Sequence, residues 1–203
     1  MQLKEAIEQR RSIRKYKKDP VDRSIIKELL EAARLAPSGT NIQPWRFLAV
    51  TSQEMRKKLA ACTFHLNFIA EAPLTMVCCA DLQALEARKQ RIKELVVAGA
   101  FEGTELEKVS FSEYQQKSRQ NDAFNLAYVN LNVAIAIEHM VLRAVELGLG
   151  SCWTMMFSQK KVKELLDLPD SFHVVALVPI GYPDQQPKQR PRLSLEEIYL
   201  GEV

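Results

Sequence analysis

The chain is poor in metal-ligating and disulfide-forming patterns. Only three histidines occur, His65, His139 and His173, and none has a second histidine or a cysteine at ligand spacing. With H-E-x-x-H also absent, no metal site is expected. His139, inside a long apolar stretch, reads as a hydrogen-bonded core or interface residue. The four cysteines, Cys62, Cys78, Cys79 and Cys152, form no C-x-x-C pair. Cys78 and Cys79 would face opposite sides of a strand, and reduced thiols in a cytoplasmic protein are expected. There is no run of about 18 apolar residues, so no membrane span is expected. The opening MQLKEAIEQRR lacks the apolar core of a signal peptide. Low-complexity tracts, internal repeats and Gly/Ser linkers are missing too, which points to a single domain over residues 1–203.

The usual catalytic loops are equally absent. No G-x-S-x-G elbow and no activated cysteine context occur, so hydrolase chemistry is disfavoured. Neither G-x-x-x-x-G-K-[ST] nor G-x-G-x-x-G is present, and Gly148-Leu149-Gly150 closes a helix instead of opening one. A bound phosphate would therefore have to be held by arginine side chains. The 28 basic residues are nearly offset by 25 acidic ones, leaving +3, and that balance demands no nucleic-acid partner.

What charge there is, is concentrated. Six of the nine residues from Arg10 to Lys18 are cationic. Arg10, Arg11 and Arg14 flank Ser12, and guanidinium forks with a hydroxyl between them suit a phosphate. A solvated basic helix end explains the cluster equally well. Arg190 and Arg192 form a second pair, two apart, able to face one side of an extended segment. The most specific polar stretch is Pro37-Ser38-Gly39-Thr40-Asn41-Ile42-Gln43-Pro44-Trp45. Its density of amides and hydroxyls between prolines suits a flat heterocycle better than a purely structural turn.

Periodicity predicts helices over Leu3 to Arg11, from Asp22 to the Pro37-Ser38-Gly39 stop, over Gln53 to Ala61 and over Ser158 to Leu168. Strands are expected over Arg46–Thr51, Leu74–Ala80, Ser151–Met156 and His173–Gly181. Leu85, Ile92, Leu95 and Val96 suggest an amphipathic helix. From Phe124 to Gly150 apolar residues cover almost the whole circumference, so this longest helix should be buried on most sides. The last twenty residues, polar and then apolar from Leu193 to Leu200, read as an arm that reaches across a neighbour. Together these elements give an α+β class with a sheet between helical layers.

Taken in order, these pieces resemble the nitroreductase family of FMN-dependent oxidoreductases. The resemblance is carried by Arg10-Arg11-Ser12-Ile13-Arg14, by Glu31-Ala32-Ala33-Arg34-Leu35-Ala36-Pro37-Ser38-Gly39 and by Asn41-Ile42-Gln43-Pro44-Trp45. It continues through Glu71-Ala72-Pro73, Gly148-Leu149-Gly150-Ser151-Cys152, Gly181-Tyr182-Pro183 and the late arginines. It implies a mostly antiparallel central sheet flanked by helices, a homodimer with the long helix at its interface, and a C-terminal arm exchanged between subunits. By this resemblance Arg10, Arg11, Ser12 and Arg14, with Arg190 and Arg192, would hold the FMN phosphate. Pro37, Ser38, Gly39, Asn41 and Gln43 would reach the flavin from the other subunit. Asn67 matches an asparagine near the flavin, and Thr154, Met155 and Met156 match the strand end whose backbone faces N5. Ala70 stands where some relatives carry a lysine.

The implied reaction takes a hydride from NADH or NADPH through flavin N5 to a nitroaromatic or quinone-like acceptor. No protein side chain need act as catalyst. Flavin fragmentation and reductive dehalogenation occur in the same family, and a non-enzymatic anion binder is the more remote alternative. Residues 82–125 are the variable insert, with Phe101, Phe111, Tyr114 and Phe124 as candidates for lining the acceptor site or for packing the insert.

Overall fold

Of the 203 residues, the computed structural model describes 1–108 and 121–203. Four strands form one antiparallel sheet in the order β1-β2-β4-β3: β1 (Trp45–Val50), β2 (Leu74–Asp81), β3 (Gly150–Ser151) and β4 (Phe172–Gly181). All of β2 is buried, as is β4 from Val174 onward. These central strands are covered on both faces, which is why they read as unbroken apolar runs.

The helices lie on either side. One face of the sheet packs against α2 (Arg23–Arg34) and the long α6 (Asp122–Glu146). The other packs against α3 (Gln53–Ala61) and α7 (Gln159–Leu166). Between them in sequence come α1 (Leu3–Gln9), α4 (Phe68–Glu71) and α5 (Arg88–Val97), and α8 (Leu195–Ile198) lies near the C-terminus. Cys78 belongs to the first core and Cys79 to the second, as the alternation predicts. Burial pushes the Cys79 thiol up to about 12.

Helix α6 organises the first core. Val129, Asn132, Val133, Ala136, Ile137, Met140, Val141 and Ala144 recur three or four apart and are buried, and each large apolar side chain there is worth about 1.5–3 kcal/mol of burial. Asn121 caps the helix, its side chain accepting from Phe124 N at 2.9 Å. The helix is long and apolar enough to meet a membrane-span criterion of length and composition, contrary to the sequence expectation. Its buried stripe, however, packs into the core. Only that stripe is covered by its own chain: Leu131 is 63% exposed and His139 is exposed, so His139 is not a core residue.

Two other expectations need correction. The strand predicted over Ser151–Met156 is reduced to Gly150–Ser151 plus an isolated bridge from Thr154 to Leu177. Between them Cys152 N donates to Pro179 O, and Pro179 has no N–H to return, so the ladder breaks there. The amphipathic α5 buries no residue fully, and Val96 is exposed. Beyond Asp184 the chain runs as an exposed arm, with Leu193, Leu195, Ile198 and Leu200 all uncovered.

Candidate functional site

The sequence-predicted residues gather at two corners of the sheet. The first is built along the β3 edge. Residues 12–17 run extended beside it: Ser12 bridges Ser151, Ile13 N donates to Ser151 O at 2.9 Å, and Lys17 N donates to Tyr182 O at 2.9 Å. Ile13 points inward against Gly150, where a Cβ would lie 2.3 Å from Ile13 Cγ1, so only glycine permits this approach. Tyr16 is buried, and its hydroxyl donates to Ile13 O at 2.5 Å.

Alternate residues of an extended segment share a side, and Arg10, Ser12 and Arg14 all lie near the buried Cys152. Burial pushes the Cys152 thiol up; Arg14, the Thr154 and Ser12 hydroxyls, and Arg10 pull it back. Arg14 also sits over the Phe68 ring, 5.9 Å from its centroid. Elsewhere Arg34, Arg46, Arg91 and Arg143 each pair with a carboxylate. Among the described residues Arg10 and Arg14 have neither an acidic partner nor a hydrogen bond to donate to. Thr154 Oγ1 is buried with no hydrogen-bond partner. Such an uncompensated cationic and hydroxylic surface fits an anion with several acceptor oxygens.

The same corner includes the turn after Thr154. Phe64 N donates to Met156 O at 3.3 Å, and Ser158 N to Cys62 O at 2.8 Å, fixing its backbone. The Met155 and Met156 side chains are exposed, and among the described residues their N–H groups donate to nothing. Asn67, at the start of α4, is exposed and makes no capping hydrogen bond.

Arg11 is separated from its neighbours. Its Nη1 donates to Glu8 O at 2.5 Å and Arg10 O at 2.9 Å, closing the C-terminus of α1. It lines a groove with Lys17, Gly148 and Gln186 instead. Arg190 and Arg192 are exposed on the arm, and no ion pair or hydrogen bond joins them to Arg10 or Arg14.

The second corner precedes β1. The turn Gly39–Asn41 follows Ser38, and Thr40, Asn41 and Gln43 all have positive φ, at 51°, 53° and 47°. Left-handed backbone at non-glycine residues costs of order 1–3 kcal/mol each, most pointedly at the β-branched Thr40. The surroundings hold it there. Gly39 N donates to Asn132 Oδ1 at 2.8 Å, and Asn132 Nδ2 donates to Tyr128 O at 2.7 Å. Gln43 N donates to Ser38 Oγ at 3.0 Å. A Cβ on Gly39 would sit 2.0 Å from the Tyr128 hydroxyl. Phe124, half-exposed, stacks on Tyr128 with centroids 6.2 Å apart. Phe111 and Tyr114 lie outside the described residues.

One chain does not bring the two corners together. The loop adjoins Trp45, at the β1 edge and opposite Ala80; Ser151 lies at the β3 edge, opposite Ile180. Three inter-strand steps of about 4.8 Å and seven residues of about 3.4 Å separate them by roughly 28 Å. Among the described residues no hydrogen bond or ion pair connects them.

Sequence reading missed the supports, namely Asn132, Tyr128, Phe68 and the pivotal position of Cys152. One signal for Asn132 was available: a lone amide on the inward stripe of an apolar helix needs a buried partner.

Comparison with known proteins agrees with this geometry. Residues 7–182 match the model of the nitroreductase family. A Thermus thermophilus protein named NADH dehydrogenase is 32% identical over 98% of this chain and 96% of its own. A 5,6-dimethylbenzimidazole synthase from Rhodospirillum rubrum is 30% identical over 87% of this chain and 80% of its own. Among solved structures, a nitroreductase-fold protein from Exiguobacterium sibiricum in complex with FMN superposes with a TM-score of 0.84 at 20% identity, covering 100% of this chain and 98% of the other. A sheet of this order between two helical layers, two polar corners that need a second chain to meet, and a family match across nearly the whole length lead to one assignment: the chain belongs to the nitroreductase family.

Proposed function

We propose that the chain is an FMN-dependent oxidoreductase, with residues 1–203 forming one FMN-binding unit. It works as a cytoplasmic homodimer in which each FMN lies between the arginine corner of one subunit and the 38–43 loop of the other. The observation that carries this reading is the unpaired Arg10–Ser12–Arg14 set beside the orphaned Thr154 hydroxyl. It is a built anion site in a family member whose other polar corner lies across the sheet. Arg10, Ser12 and Arg14 hold the phosphate, and Arg190 and Arg192 join them once the arm is docked on a neighbouring subunit. Arg11 closes α1 and supports the segment.

Bound FMN supplies hydride relay, its N5 taking a hydride from NADH or NADPH and returning it to the acceptor. Everything else falls to the chain. The free N–H groups of Met155 and Met156 offer fixed donors toward the ring edge, and Asn67 adds an amide. From the partner, Pro37, Ser38, Gly39, Asn41 and Gln43 present polar groups on a backbone already strained into place, so little ordering remains on binding. Donors and cations around the ring also favour its reduced, more negative form. A quinone-like acceptor gains the hydride and one solvent proton; no side chain at either corner is placed as a general acid.

The test is spectroscopic. The purified protein should be a yellow dimer that bleaches when NADH or NADPH is added anaerobically. A colourless monomer that takes up no FMN would contradict the reading. A second reading, flavin fragmentation, is favoured by the likeness to the dimethylbenzimidazole synthase. Admitting oxygen to the reduced protein separates the two: the yellow colour returns under the first reading and is permanently lost under the second.

A further inference from the structure

Arg88 opens α5, the first helix of the variable insert, and has no role in either corner as described so far. Its guanidinium lies over the Tyr128 ring, 5.1 Å from the centroid. Its Nε is buried and makes no hydrogen bond. Among the described residues no carboxylate pairs with it, although Arg91, one turn along the same helix, is paired with Glu94. Stacking on an aromatic face satisfies the guanidinium's flat surface but leaves its in-plane N–H donors unused. A partly buried cation in that condition is costly to keep without an anion to meet it.

The surroundings specify what such an anion would be attached to. Tyr128 is stacked with Phe124, their planes 17° apart, and Phe124 is 45% exposed. The Tyr128 hydroxyl lies directly under Gly39 of the strained loop. A pair of near-parallel rings, an unpaired guanidinium and the loop are thus side by side on one chain. Because the cation is within about one ring's breadth of the stacking surface, the anion it meets must be carried on a flat ring or directly beside it. The phosphates of a nicotinamide nucleotide are set back from the nicotinamide by a ribose and do not fit that spacing.

We propose that Arg88 is the anion-recognising residue of the acceptor pocket, and that the preferred acceptors are flat aromatic compounds bearing a carboxylate. The ring packs against Phe124 and Tyr128 while the carboxylate takes the in-plane N–H donors of Arg88. This rests on the reading in which the 38–43 loop borders the flavin.

Two measurements test it on the FMN-loaded protein. The first is equilibrium binding of benzoate, a probe that cannot be reduced, followed by calorimetry. The second is the ratio of kcat/KM for 4-nitrobenzoate to that for nitrobenzene, at saturating NADH. Arg88→Gln should weaken benzoate binding and lower the ratio, each by about tenfold, the worth of one charge-assisted hydrogen bond. Arg88→Lys, which keeps the charge but loses the fork, should recover part of both. An unchanged ratio in Arg88→Gln, or equal loss on both acceptors, overturns the proposal and leaves Arg88 as a cover for Tyr128. A rise in KM for NADPH but not NADH, with the acceptor ratio unmoved, also overturns it, because the cation would then serve the donor. FMN loading and anaerobic bleaching are recorded before any acceptor is added. Failure there overturns the underlying reading and this proposal with it, whereas success there with no acceptor discrimination overturns this proposal alone.

Discussion

The two polar corners reach the same end by opposite means. The arginine corner is unstrained backbone carrying unsatisfied side chains: Arg10 and Arg14 have no acidic partner, and Thr154 Oγ1 has no hydrogen bond. The loop corner is the reverse, a backbone forced left-handed at Thr40, Asn41 and Gln43 and held by hydrogen bonds already made to Asn132. Charge recognition tolerates mobile side chains, because the guanidinium fork itself supplies geometry. Recognition of a neutral ring edge needs donors fixed in advance, so strain is stored in the backbone. The first corner should therefore fail when charge is removed, and the second when its support is loosened.

The largest effect is expected at the arginines. Replacing Arg10 and Arg14 together with Ala removes two charge-assisted partners, each worth about 1.5–3 kcal/mol, and should weaken FMN binding by at least 100-fold in a fluorescence titration. The melting temperature of the flavin-free protein should hardly move, since neither side chain supports the fold. If FMN affinity survives, the phosphate lies elsewhere.

Next comes Asn132→Leu. It strands the Gly39 N–H and the Tyr128 carbonyl contact, costing about 1–3 kcal/mol, and should lower both stability and FMN affinity. Urea unfolding and the same titration read the two effects. A loss of stability alone would make Asn132 an ordinary core residue.

Gly39→Ala should act through one atom. The added Cβ meets the Tyr128 hydroxyl at 2.0 Å but its ring carbon Cζ at 2.9 Å, so Tyr128→Phe in the same chain should restore part of what Gly39→Ala loses. A double-mutant cycle with no coupling would show that the loop rests on something else.

The smallest effect lies outside both corners, as a control. Burial, and then Lys163, lower the pKa of His173 below its ordinary 6.5. The unfolded chain then binds more protons than the folded one below pH 6.5, so this contribution to stability is present above that pH and fades as pH falls toward the folded pKa. His173→Gln should flatten the stability profile below pH 6.5 and leave FMN affinity as it was.

Much of this was legible in the chain. Gln53–Ala61 and the buried strands announce themselves through period and unbroken apolar runs, because local pattern and burial agree there. The arginine segment and the Pro37–Trp45 loop stand out by composition. What was hidden is relational. Nothing local shows that Arg11 turns back to cap α1 while Arg10 and Arg14 do not. The break in the Ser151–Met156 strand comes from Pro179 on the neighbouring strand, a residue 27 positions after Cys152. The clamp on Gly39 comes from Asn132, which lies 93 residues away in sequence. Long-range partners of this kind become visible only when the sheet and α6 are assembled.

The central claim is that the two corners complete one another only between chains. Mixing tests it directly. A chain carrying Arg10→Ala and Arg14→Ala is refolded with an equal amount of a chain carrying Ser38→Ala, Asn41→Ala and Gln43→Ala. Each alone should hold almost no FMN. Random pairing into two-fold dimers should restore about one quarter of the sites, since each mixed dimer regains one intact site. If the mixture binds no more FMN than the separate variants, both corners serve a site within one chain and the account is wrong.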